Sequence, residues 1–141
     1  MNIILIGPQG SGKGTQGKLL AKKYEIPRVS LGKLLREITK GKSKLGKVIS
    51  SYIDKGNLVP NEIAFKVIEQ ELAKPKYKKG VILDGYPRKL SQAKHITNIL
   101  TIDAVIVIKI SEKETLVRLG GRRECSCGEI YHMKFKPPKK D

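Results

Sequence analysis

The chain has 141 residues, 39% of them hydrophobic, enough for one domain with a real core. Its longest apolar runs, Ile3 to Ile6 and Ala104 to Ile108, are far too short to span a bilayer, and the N-terminus lacks the basic start and long apolar stretch of a secretory signal. A cytoplasmic location and no membrane partner are expected. The 29 Lys and Arg against 13 Asp and Glu give a net charge of +16. That field attracts nucleotides, nucleic acid or anionic membrane, and a lysine-rich or heat-adapted surface accounts for it equally well.

Asn2 to Ile6 reads as a buried parallel strand that ends at Gly7. A glycine-rich turn follows, then a helix from Thr15 to Tyr24 with Leu19, Leu20 and Ala21 inward. Val29 sits in a second short strand. Leu34, Leu35 and Ile38 share a helical face over 31–39, and Leu45, Val48, Ile49, Tyr52 and Ile53 share another, stopped by Gly56. Asn61 is expected to cap a helix carrying Ala64, Val67, Ile68 and Leu72, which Pro75 ends. Val81 to Leu83 is a strand running into Asp84-Gly85, and Ser91 is placed as the cap of a helix through Leu100. Ala104 to Ile110 is the last strand. Ser111 and Glu114 form an S-x-x-E capping box opening a helix that Gly120-Gly121 ends. Beyond it the chain is turn-rich and basic. Cys125 and Cys127, one residue apart, make a poor disulfide and read as reduced thiols or half of a metal site. Four strands alternating with helices predict a parallel α/β sheet with helices on both faces.

The segment Gly7-Pro8-Gln9-Gly10-Ser11-Gly12-Lys13-Gly14-Thr15, between strand and helix, is a phosphate cradle. Glycines let successive N–H groups turn inward around an anion, the helix dipole points at the same place, and Lys13 adds a full charge. The general pattern G-x-x-x-x-G-K-[ST] is missed by one position, because Gly14 follows the lysine and Thr15 comes next.

That variant resembles the P-loop of adenylate kinases, the P-loop nucleoside monophosphate kinases. Other segments match in order. Leu83-Asp84-Gly85-Tyr86-Pro87-Arg88 is similar to the family's L-D-G-[FY]-P-R, with Gln92-Ala93 following. Gly32 with Leu34-Leu35-Arg36, Gly56 to Pro60, and Arg118 to Arg123 resemble further family segments. Cys125 through His132, with Phe135 to Pro138, resembles the first half of the family's lid.

The resemblance implies a three-layer P-loop NTPase fold: a core over 1–29 and 60–121, a helical NMP-binding insertion over 30–59, and a partial lid over 122–141. A final core strand and helix, and further arginines, would follow in the family. It implies reversible, Mg²⁺-dependent transfer from ATP to AMP giving two ADP, by a protein that in this family is usually monomeric. Gly10, Ser11, Gly12, Lys13, Gly14 and Thr15 would hold the ATP phosphates, with Arg118 on the base, Arg122 on the γ-phosphate and Tyr131 also at ATP. Leu31, Arg36, Asn57, Leu58, Val59, Gly85, Tyr86, Pro87, Arg88 and Gln92 would form the AMP site. Arg36 and Arg88 would clamp the phosphate bidentately, and Gln92 would read the adenine edge. Lys13, Arg88 and Arg122 would carry catalysis, and Asp84 would orient waters on Mg²⁺.

Leu31 and Lys33 depart from the family's threonine and aspartate, which opens a relaxed preference among monophosphates as an alternative. A catalytically weak nucleotide-binding fragment is the other. Zinc on Cys125 and Cys127 would have an incomplete ligand set, since a structural site takes four. Aromatic residues at 5% and the lack of an RNA-binding motif argue against nucleic acid as the partner.

Overall fold

The computed structural model describes residues 1–41, 43–125 and 130–138; the side chain of Glu124 lies outside that description. Four strands, β1 (Asn2–Ile6), β2 (Arg28–Ser30), β3 (Val81–Asp84) and β4 (Ala104–Val107), form one parallel sheet in the order β2-β3-β1-β4. Among the described residues six α-helices accompany them: α1 (Lys13–Tyr24), α2 (Leu31–Lys40), α3 (Lys44–Ile53), α4 (Asn61–Leu72), α5 (Leu90–Ile99) and α6 (Glu112–Gly120). The expected parallel α/β architecture is therefore present.

The central strands β1 and β3 are buried on both faces, and alternation assigns each residue to one of them. Ile4, Val29, Val81 and Leu83 join a core that contains Ile49, Ile68, Tyr86 and Ile96. Ile3, Leu5 and Ile82 join Ile26 on the opposite face, where Leu20 and Ala21 of α1 cover them. Ile82 is fully buried, so its truncation to alanine costs about 2–5 kcal/mol. α2 packs on α3, and the approach is close at Gly46, where a Cβ would come 2.7 Å from the Ile38 carbonyl oxygen.

Three local expectations are corrected. Leu19 points outward at 58% exposure, and the inward face of α1 runs through Gly17, Leu20 and Ala21 instead. Pro60 rather than Asn61 is the N-cap of α4; Asn61 spends its amide on Ser91 Oγ, 3.0 Å away. Lys89 rather than Ser91 caps α5, so Ser91 lies inside the first turn. At α6 half of the capping box forms: Ser111 Oγ accepts from Glu114 N at 3.1 Å, while the Glu114 carboxylate goes to Arg118.

β4 is shorter than expected and is one of the two edge strands of the four-stranded sheet, with Val105 and Val107 more than half exposed. The basic segment after α6 contains an antiparallel hairpin, β5 (Arg122–Glu124) with β6 (Ile130–His132), which the turn-rich reading did not foresee. The hairpin is anchored on α6, where Met133 N donates to Gly121 O at 2.8 Å.

Candidate active site

β1 and β3 are adjacent at the centre of the sheet, with Leu5 paired to Asp84. Their C-terminal ends therefore deliver the glycine-rich turn and the Asp84-to-Arg88 segment to one crevice, the usual place for ligands in open parallel sheets. A cleft of about 550 Å³ runs between them, lined by Gly7, Gln9 and Lys13 on one side and by Gly85, Pro87 and Arg88 on the other.

The turn holds its shape by glycine conformations. Gly10 (φ 76°) and Gly12 (φ 92°) are left-handed, and Gly12 is the N-cap of α1. Lys13 Nζ folds back to donate to Gly7 O at 2.6 Å and Pro8 O at 2.7 Å. Burial pulls the Lys13 ammonium below the ordinary lysine value; Asp84 opposes that shift and Arg88 adds to it. Ser11 is buried, and its hydroxyl is the one buried side-chain polar atom without a hydrogen-bond partner among the described residues. Such a donor, at the start of a helix, is suited to an anionic oxygen.

Across the cleft, the left-handed Gly85 (φ 74°) lets the chain turn sharply after β3. Arg88 Nε donates to Gly85 O at 2.8 Å, which fixes the guanidinium over the turn. Arg36 Nη1 and Arg88 Nη2 lie 3.5 and 3.9 Å from where a Gly32 Cβ would sit, so two guanidinium groups share the space that Gly32 leaves open. Gln92 is buried, accepts from Arg88 N at 2.8 Å and donates to Asn61 Oδ1 at 3.2 Å. One amide hydrogen and one lone pair remain for another partner. Tyr86 is buried under this turn; its hydroxyl lies 3.0 Å from His95 Nδ1, and burial pushes its pKa to about 12, with Glu69 adding. His95 stacks on Phe65 at 3.9 Å, a packing role.

A family model described as adenylate kinase matches residues 5–135. The chain is 47% identical to an adenylate kinase of Methanococcoides burtonii, over 100% of this chain and 68% of the relative. It is 45% identical to one of Methanothrix thermoacetophila and 46% identical to one of Staphylococcus aureus, each over 99% of this chain and 67% of the relative. The chain belongs to the adenylate kinase family. It spans about two thirds of the length of these relatives.

Of the residues expected at an adenylate kinase site, Lys13, Gly85, Pro87 and Arg88 line this cleft, Gly10 to Thr15 form the loop and first turn of α1 around Lys13, and Arg36 shares the space at Gly32 with Arg88. Arg118 lies against the P-loop, with Nη1 3.5 Å from Gly10 O and Nε on Glu114 at 2.7 Å. Leu58 is exposed and Val59 buried just before α4; Asn57 N donates to Tyr52 O at 2.9 Å. Leu31 is buried in the core. Arg122 and Tyr131 lie on the hairpin, where Lys136 Nζ sits 5.3 Å over the Tyr131 ring. Arg28 of β2 was not singled out from sequence, yet its Nη1 donates to Asp84 Oδ2 and to Gly14 O, each at 3.0 Å.

The family implies magnesium carried with ATP. Mg²⁺ takes oxygen ligands, keeps several waters, and is bound through one or two carboxylates plus substrate phosphates. Asp84 fits: a Cβ on Gly14 of the P-loop would lie 4.0 Å from its Oδ2, and the side chain keeps 12% exposure. For zinc, the described residues contain no group of three or more His, Cys, Asp or Glu able to hold a metal. His132 Nδ1 accepts from Lys134 N and Phe135 N at 3.1 and 3.2 Å, and its Nε2 faces Val117 O at 3.3 Å, so both ring nitrogens are engaged. Cys127 lies outside the described residues. No helix among the described residues is long and apolar enough to cross a membrane.

Proposed function

We propose that this chain carries out reversible phosphoryl transfer from ATP to AMP, giving two ADP, with the two nucleotides meeting in the cleft between the P-loop and the Gly85–Arg88 turn. One observation carries this reading: Lys13 on one wall and Arg88 on the other line a single cleft. No protein base is required, because the attacking AMP phosphate is already ionised. The chemistry reduces to alignment and charge neutralisation.

In this reading the N–H groups from Gly10 to Thr15 and the Ser11 hydroxyl bind the ATP phosphates. Lys13 exchanges its two carbonyl partners for β- and γ-phosphate oxygens. Arg36 and Arg88 clamp the AMP phosphate beside Gly32, with Leu58, Val59 and Gly85 offering backbone contacts and Gln92 its spare amide positions to the base. Asp84 would hold a magnesium ion through water; that ion neutralises phosphate charge when bound. Arg118 and Arg122 approach from α6 and β5, and Tyr131 from β6. The segment 30–59 acts as the AMP-side insertion, 122–141 as lid, and the rest as core. The chain is read as a cytoplasmic monomer, and zinc on Cys125 and Cys127 as a partial site whose metal content elemental analysis would measure.

The test is a coupled assay for ADP from ATP, AMP and Mg²⁺, with Lys13→Met as control. Turnover that disappears in the control is expected. Absence of turnover with ATP still bound would leave a nucleotide-binding chain in place of a kinase. Running the assay with GMP, CMP and UMP tests the base preference that Leu31 and Lys33 put in question.

A further inference from the structure

We propose that Arg28 is a positioning residue that sets how strongly the site draws its divalent cation, an inference that rests on the functional reading above. The sheet register makes it reachable. Arg28 pairs with Ile82, while its neighbour Val29 belongs to the opposite core, so the Arg28 side chain emerges on the α1 face that Ile82 and Asp84 share. There it is no surface cation, since only 21% of the side chain is exposed.

Its seat is built from missing side chains. A Cβ on Gly17 would come 2.7 Å from Arg28 Cδ and 3.1 Å from Leu5 Cδ1, and a Cβ on Gly14 would come 3.2 Å from Arg28 Nη1. Gly17 lies inside α1 with no left-handed φ, so the backbone does not demand glycine there. Glycine within a helix is destabilising relative to alanine. What Gly17 supplies is the slot in which the arginine stem lies.

From this slot Nη1 donates to both Gly14 O and Asp84 Oδ2. The contact ties β2, β3 and the first turn of α1 together. It also places a permanent positive charge on the carboxylate that faces the P-loop, since guanidinium does not deprotonate in proteins. A divalent cation approaching Asp84 through water meets an acid that is already compensated. Removing one unit charge about 6 Å from a divalent cation, at an effective dielectric between about 40 and 80, changes cation affinity about 10- to 100-fold.

The experiment measures ATP affinity by calorimetry in excess EDTA and again in saturating Mg²⁺, and takes the ratio as the strengthening due to metal. In Arg28→Gln that ratio should rise about 10- to 100-fold over the unaltered chain. Arg28→Lys, which keeps the charge, should stay within about twofold. Gly17→Ala leaves Arg28 in the sequence but fills its slot, and should move the ratio in the same direction as Arg28→Gln. A pure structural brace would lower thermal stability without moving the ratio. ATP bound by Arg28→Gln or Gly17→Ala with an unchanged ratio overturns the proposal. Failure of the unaltered chain to bind ATP under either condition would sink the functional reading, and this inference with it.

Discussion

The imidazole of His132 occupies the space that a side chain on Gly121 would need, with Nε2 2.5 Å from the position of a Cβ there. Gly121 has an ordinary φ of −85°, so room rather than backbone freedom decides the residue. Gly121→Ala should push the ring off Val117 O and loosen the hairpin from α6. Overpacking of this kind costs about 1–3 kcal/mol, or about 5 °C in Tm for a domain of this size. Adding His132→Ala should restore part of the loss, and a double-mutant cycle by thermal denaturation reads the coupling.

Arg36 and Arg88 meet at Gly32, on the AMP side of the proposed site. Replacing either with alanine removes charge-assisted bonds to a phosphate, each worth about 1.5–3 kcal/mol. KM for AMP should rise about 10- to 100-fold, with ATP affinity changed less than about twofold. An equal loss for both nucleotides in steady-state kinetics would place these arginines elsewhere in the reaction.

Lys13 is held below the ordinary lysine value, chiefly by burial. Its ammonium is present below that lowered pKa and is lost as pH rises through it. ATP affinity should therefore decline on the alkaline side earlier than an ordinary lysine, with pKa near ~10.4, would dictate. Lys13→Met should bind weakly with no such decline. Calorimetric titration between pH 7 and about 10 checks both.

Glu71 is a buried carboxylate away from the cleft. Burial pushes its pKa up, but bonds from Lys74, Tyr77 and Lys76 outweigh that and hold it at about 2 against an ordinary 4.5. The stability it contributes is complete above pH 4.5 and is lost as pH falls from there toward 2. Both lysines are more than half exposed, so the loss is screened to about 1–2 kcal/mol. Urea unfolding at two pH values should show Glu71→Gln less stable than the unaltered chain at pH ~6, with the gap narrowing near pH ~3.

The P-loop and the four strands were legible because each is written locally, in glycine spacing or an apolar run. Helix ends were less so. Asn61 and Ser91 both look like caps, and they bond to each other instead because α4 and α5 pack side by side. Leu19 looked inward by hydrophobicity alone, whereas Gly17 is the buried position. Arg28 carried no signal: in a chain with 29 basic residues, nothing local separates it from a solvated charge. Its meaning depends on Asp84, 56 positions away, and on two glycines of a helix that precedes it.

Because Leu5 pairs with Asp84, the proposed ATP-side wall and the wall opposite it are synthesised far apart in time. A growing chain that has made only the P-loop has no partner for β1 on either flank, since β3 and β4 come later in sequence. Long-range parallel pairing of this type is slow and leaves apolar strands waiting. Nucleotide that requires both walls cannot stabilise the nascent P-loop. It rewards only chains whose central strands have already paired, and shifts the population toward them by mass action.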